Sequence, residues 1–145
     1  CGDGLSEVAA ILEGPVMAHF EEIHTSNASH EGWPYSEAVR AGDFIFVAGV
    51  AAEDETTGQI IGATIVEQTH KTFHRIAGIL RHADADLRDI CRLSVHLNNI
   101  EDFGEFSAAY AEIFHWTPKP TRITRGSALA PGLLLEVECT VYKPK

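Results

Sequence analysis

Two groups of opposite charge near the end of the chain suit joint chemistry: the guanidinium of Arg122 and the carboxylate of Glu136. A guanidinium fork matches a substrate carboxylate, and a Glu beside it suits the handling of a water or a proton. Both lie in runs with strand periodicity. Thr121 to Leu129 alternates polar and small residues around Arg122. In Leu133 to Tyr142, Leu133, Leu135, Val137, Cys139 and Val141 share one face, and Leu134, Glu136, Glu138, Thr140 and Tyr142 the other. With Ala130-Pro131-Gly132 between them, the runs predict a half-buried β-hairpin whose second face carries the pair. The plainer alternative is a solvated salt bridge on an exposed sheet face, which charges paired across strands usually are.

Other reactive side chains fall into weaker patterns. His70 and His74 stand one helical turn apart, a spacing that could hold a metal, but no third ligand is spaced for it and the Glu of an HExxH site is missing. They read as a histidine pair on a helix flank, and no metal is expected. His96 and Glu138 sit on strand faces and read as hydrogen-bonded structural residues. Cys1, Cys91 and Cys139 have no metal-type spacing, and two of them lie in strand-like runs. They read as buried free thiols of a reducing, cytoplasmic setting.

Composition narrows the function class. With 145 residues the chain suits one domain with its own core. The net charge is −10, with no run of Lys or Arg, which argues against nucleic acid as a partner, because phosphate contacts supply most of that affinity. No stretch approaches the roughly 18 apolar residues of a transmembrane helix, so no membrane partner is expected.

The elements that must position Arg122 and Glu136 follow from periodicity. Residues 1–33 read as an N-terminal appendage: a short helix over Glu7 to Leu12, capped by Ser6 and stopped at Gly14-Pro15, then a loop at 26–32. The main domain, 34–145, opens with a hairpin of Tyr35 to Arg40 and Phe44 to Val50 around Ala41-Gly42-Asp43. The second strand is nearly all apolar, which predicts burial on both faces. A polar loop, 53–58, leads to a short strand, 59–61. From Thr64 to about Ala83, Thr69, Phe73, Ile76 and Leu80 form one helical stripe. A turn at 83–86 precedes a strand over Arg92 to Asn98. A second amphipathic helix, started by Asn99 or Asp102, carries Phe103, Phe106, Tyr110, Ile113 and Phe114. The order predicts an α+β layer with both helices on one face of a sheet. The other face is mixed in polarity, and with the apolar 44–50 strand it favours a homo-oligomer.

From Pro34 to Tyr142 the sequence resembles the RidA (YjgF, L-PSP) family. The matching stretches are PYSEAVRAGDFIFVAG, TGQIIG, EQTHKTFHRIAGIL, SVHLNNIEDFGEFSAAYAEIF and PTRITR…LLLEVECTVY, in order and suitably spaced. The resemblance implies a chorismate-mutase-like α+β domain: a mixed β-sheet with two helices on one face, forming a homotrimer with clefts between subunits. It implies cofactor-free hydrolysis of a reactive enamine or imine carboxylic acid to the keto acid and ammonia. Arg122 matches the residue that clamps the substrate carboxylate, and Glu136 the one that positions water. Tyr35 and Gly49 match pocket positions of the first hairpin. Thr124 stands where the family usually has Cys, Ser107 where it has Asn, and Ala48-Gly49-Val50 where it has an SGQ-like run. The Arg122 to Glu136 interval is slightly shorter than usual. Substrate choice is therefore expected to differ. The PTR-T run and VYKP ending resemble 2-aminomuconate deaminases, a second enzymatic reading. A non-catalytic trimer that binds a small carboxylate is the third. The endoribonuclease label of some relatives fits poorly with the acidic charge.

Overall fold

A computed structural model describes residues 19–25, 27 and 31–145. The appendage helix expected at Glu7 to Leu12 lies outside the described residues. Six strands form one sheet: β1 (Glu21–Glu22), β2 (Ala38–Ala41), β3 (Phe44–Val50), β4 (Ile90–Leu97), β5 (Thr121–Gly126) and β6 (Leu135–Tyr142). Their order across the sheet is β1-β2-β3-β6-β4-β5. Two helices, α1 (Ile65–Arg81) and α2 (Phe103–Ile113), pack on one face. β1 pairs with β2 ahead of Trp33, and Ile23 beside it joins the core.

The start of α1 is written in its sequence. Thr64 accepts a hydrogen bond from the Glu67 amide at 3.2 Å, and the Glu67 carboxylate accepts from the Thr64 amide at 3.2 Å. This capping box satisfies two amides that the first helical turn leaves open. The predicted stripe of Thr69, Phe73, Ile76 and Leu80 is buried, while His70 and His74 are exposed beside it. On α2, Phe106, Tyr110 and Phe114 meet Phe73 in a cluster of rings, with Tyr110 and Phe114 stacked at 4.4 Å. Beneath the helices lie Leu93, Val95 and Leu97 of β4 and Leu135, Val137, Cys139 and Val141 of β6.

Several expectations change. The closing β-hairpin does not exist: β5 runs parallel to β4, and β6 pairs antiparallel with both β4 and β3. The reason lies in the faces. β6, with a fully buried apolar face, takes a central place, whereas Thr121, Ile123 and Arg125 of β5 are exposed and suit an edge. α2 supplies the crossover that a parallel β4–β5 pair requires. The 127–134 connection passes over the end of β4, where Ser127 donates to the Leu97 carbonyl at 2.8 Å and Asn98 to the Leu134 carbonyl at 3.0 Å. Gln68 of α1, itself buried, pins this crossing. Its amide donates to the Gly62 and Gly132 carbonyls, and its oxygen accepts from the Leu134 amide.

β3 is not buried on both faces of a single chain. Phe44 and Phe46 are exposed and form a ring cluster with Tyr142. The 59–61 strand reduces to a bridge between Glu53 and Ile60, and Leu87–Asp89 forms a 3-10 turn. Asn99 caps a second such turn, Ile100–Asp102, that runs into α2. Cys91 is exposed rather than buried, because a register shift between Ile90 and Arg92 turns it out of the ladder; Cys139 is buried as expected.

Candidate functional site

The singled-out residues form two groups. The first is Tyr35, Gly49 and Glu136. β3 and β6 pair regularly to Val47 and resume at Val50, so Ala48 and Gly49 sit in a bulge. The Glu136 side chain lies directly over Gly49, where any added Cβ would meet its carboxylate. Gly49 is therefore required for close approach and not for backbone conformation, since its φ is not in the left-handed region. Glu136 is half-buried and has no hydrogen bond or ion pair among the described residues. Tyr35 is 53% exposed, and its ring meets Trp33 edge-on at 5.2 Å. Burial pushes its phenol above the ordinary value, and the negative field of Glu136, Glu53 and Glu37 pushes it further.

The second group is Arg122, Ser107 and Thr124. β5 is aligned on β4 so that Arg122 faces Leu93 and Thr124 faces Val95. The Arg122 guanidinium rests on the rings of α2, 4.5 Å from the Tyr110 centroid, 5.2 Å from Phe106 and 5.6 Å from Phe103. It donates to the Ser107 hydroxyl at 3.2 Å. No carboxylate pairs with it among the described residues. An aromatic shelf holds a guanidinium in place without neutralising it, which leaves its fork available to an anion. The Tyr110 phenol is raised by burial, opposed by the positive charge of Arg122. The hydroxyl oxygens of Thr124 and Tyr110 are buried without a hydrogen-bond partner among the described residues.

Within one chain the two groups do not meet. Glu136 is the cross-strand partner of His96, on the sheet face away from the helices; Arg122 partners Leu93, on the helix face. β4 lies between their strands, which at the usual spacing sets β5 and β6 about 10 Å apart. The shared face that alternation predicts for Arg122 and Glu136 is thus replaced by opposite faces. The parallel β4–β5 register decides this, and no local pattern encodes it. Two clefts among the described residues, of about 450 and 510 Å³, are lined by Trp33, Tyr35 and Glu37, and by Cys91, Trp116 and Pro118, with neither Arg122 nor Glu136.

His96 is held by Ser127, whose hydroxyl lies 3.0 Å from Nδ1, and Glu138 is exposed. Three charged residues near the first group have no counterpart among the predicted site residues. Arg75 on α1 is buried against Glu37 and Glu53. A signal existed: Gln68, Thr72, Arg75 and Ile79 follow one another at helical steps beside the apolar stripe, so a charge there enters the core.

A family model described as Endoribonuclease L-PSP matches residues 25–143. A RutC family protein of Pyrococcus horikoshii is 37% identical over 124 residues, spanning 85% of this chain and 98% of that protein. The chloroplastic Reactive Intermediate Deaminase A of Arabidopsis thaliana is 28% identical over 120 residues, 82% of this chain and 64% of that protein. Among solved structures, a Yersinia pestis protein of the conserved Rid family matches with a TM-score of 0.78 at 26% identity, covering 85% of this chain and 98% of its own. The mixed six-stranded sheet with two helices on one face is the fold of that family, and the chain belongs to it: the RidA/YjgF, or L-PSP, family.

Proposed function

We propose that the chain is the protomer of a homotrimeric, cofactor-independent deaminase for small enamine or imine carboxylic acids, with its sites between subunits. Arg122 of one copy holds the substrate carboxylate through charge-assisted hydrogen bonds. Glu136 of a neighbouring copy places a water against the carbon of the C=N bond. That water gives one proton to the Glu136 carboxylate as its oxygen bonds to the carbon. Glu136 passes that proton to the nitrogen, which gives the carbinolamine; the carboxylate then takes the hydroxyl proton as the C=O bond forms and delivers it to the nitrogen, so that the C–N bond breaks and ammonia leaves with the keto acid. The carbon is already electrophilic, so orientation and one proton-handling group suffice, without a nucleophilic Ser or Cys. The carrying observation is that neither Arg122 nor Glu136 has an ion-pair partner among the described residues and that they lie on opposite faces of one sheet, which supports a site completed by a second copy. Exposed Phe44, Phe46 and Tyr142 on the face away from the helices support contact between copies. The unpartnered Thr124 hydroxyl, on the same strand face as Arg122, favours a ligand with a second polar group, as in the aminomuconate class.

The test is ammonia release from imino acids generated in place by an amino-acid oxidase, with the protein's mass in solution measured alongside. Glu136→Gln should lose turnover on the order of 10²-fold while still binding a small carboxylate, and Arg122→Ala should lose binding. If a purified trimer accelerates neither imino-acid nor 2-aminomuconate hydrolysis yet binds carboxylates, the non-catalytic reading replaces this one.

A further inference from the structure

The fold buries one cation that the chemistry above does not use. Arg75 is 1% exposed. One terminal nitrogen donates to the Ala51 carbonyl at 2.8 Å and to the Glu53 carboxylate at 3.3 Å; the other lies 3.5 Å from the Glu37 carboxylate. Glu37 is 8% exposed and accepts from the Thr25 hydroxyl and, at 2.9 Å, from the Asn27 amide. Burying Arg75 and Glu37, with Glu53 partly covered, carries a desolvation penalty that well-packed apolar side chains avoid, so stability is a poor account of the cluster.

Its attachments are more informative. Glu37 follows Tyr35 by one intervening residue, and its carbonyl accepts from the Ala48 amide, inside the bulge, at 2.9 Å. Ala51 follows Gly49 at the same interval, and Glu53 begins the loop beyond. Every group that Arg75 holds therefore lies within four residues of Tyr35 or Gly49 in the chain.

We propose that Arg75 is a positioning residue for this half of the site. It fixes the Tyr35 segment against the Gly49 bulge and offsets the charge of Glu37 and Glu53, so that Glu136 is the dominant free carboxylate facing Tyr35. The proposal rests on Tyr35, Gly49 and Glu136 being half of the site. It extends the machinery into the core, to a residue that touches no substrate.

The experiment reads Tyr35 ionisation by near-ultraviolet absorbance against a Tyr35→Phe baseline, together with imino-acid turnover. After burial, the charges that raise the Tyr35 phenol are those of Glu136, Glu53 and Glu37. In Arg75→Gln, Glu37 and Glu53 lose the positive charge of Arg75, and Tyr35 should ionise at higher pH. Adding Glu37→Gln and Glu53→Gln to Arg75→Gln should bring it back down. Simple loosening of the core acts in the opposite direction, because water reaching Tyr35 removes the burial that raises its phenol. Turnover in Arg75→Gln should fall on the order of 10²-fold, the loss expected when a reacting group shifts by about 1 Å, with carboxylate binding unchanged. Arg75→Lys keeps the charge on a single head that cannot reach all three oxygens. It should leave Tyr35 titrating as in the parent while turnover stays depressed, and it serves if Arg75→Gln does not fold. The proposal is overturned if Tyr35 is unmoved or ionises at lower pH in Arg75→Gln, or if Arg75→Lys turns over at the parent rate. Absence of turnover in the parent would instead sink the deaminase reading, and the Tyr35 titration would still decide the role of Arg75.

Discussion

Replacing Gly49 by Ala should separate activity from stability. The new Cβ would fall within van der Waals distance of the Glu136 carboxylate, 3.0 Å from its Cδ and 3.2 Å from its Cγ, and nearer still to one oxygen. Ordinary contacts between such atoms begin near 3.5 Å, so the carboxylate must retreat by on the order of 1 Å. A displacement of that size at a water-positioning group costs about 10²-fold in turnover, or roughly 2.7 kcal/mol of transition-state stabilisation. Stability should respond differently. Gly49 has no left-handed φ, so Ala suits its backbone, and a Gly-to-Ala change at such a site restricts the unfolded chain by about 0.4–1 kcal/mol. The displaced group is the end of a flexible, partly exposed side chain, so strain offsets little of this. Gly49→Ala should therefore unfold in urea within about 1 kcal/mol of the parent, or slightly later, while ammonia release from an imino acid falls about 10²-fold. In a Glu136→Gln background the same change should add almost nothing, because both act on one step. Parent-level turnover in Gly49→Ala, or fully additive losses in the double variant, would show that the carboxylate over Gly49 is not the group that positions water.

Three further outcomes follow. Arg122→Ala and Glu136→Gln chains, each inactive alone, should regain part of the turnover after unfolding and refolding as a mixture; no recovery would place both residues in the same subunit's site. Burial pushes the Cys139 thiol up to about 12 from 9.0. Below 9.0 it is protonated whether folded or not; above it the unfolded chain releases a proton that the folded chain retains. Stability should fall by about 1.4 kcal/mol per pH unit between these values, and Cys139→Ala should flatten that alkaline slope in urea titrations. Thr64→Ala removes the cap of α1 and should lower unfolding free energy by about 1 kcal/mol without altering carboxylate binding.

What the sequence makes legible is whatever one element decides alone. Thr64, Glu67 and the stripe from Thr69 to Leu80 announce α1 and its buried side, because capping and helical period are local. The alternation in β6 likewise separates Val137 and Cys139 from Glu136 and Glu138. Alternation assigns faces, however, and is silent about neighbours. A Gly/Pro turn between two strand-like runs predicts adjacency, yet β4 enters between them because α2 brings β5 in parallel. That insertion moves Arg122 to the opposite side from Glu136. The residue types of the candidate site are thus readable, and their sidedness is not. Arg75 is readable in part: the helical steps from Gln68 through Thr72 to Ile79 turn it inward, but its carboxylate partners, Glu37 and Glu53, lie far along the chain.

The placement of the two charges also bears on how such a protein changes over generations. Arg122, Ser107 and Thr124 belong to α2 and β5, at one edge of the sheet; Tyr35, Gly49 and Glu136 belong to the approach to β2, to β3 and to β6. Arg122 and Glu136 lie on opposite faces of the sheet. On the proposed assignment, substitutions that retune which carboxylate is held can accumulate around the ring shelf while the Gly49 bulge under Glu136 stays intact. Thr124 and Ser107, where the resemblance expects Cys and Asn, both fall in the Arg122 group, so that assignment makes ligand choice and bond cleavage separable traits of one small domain.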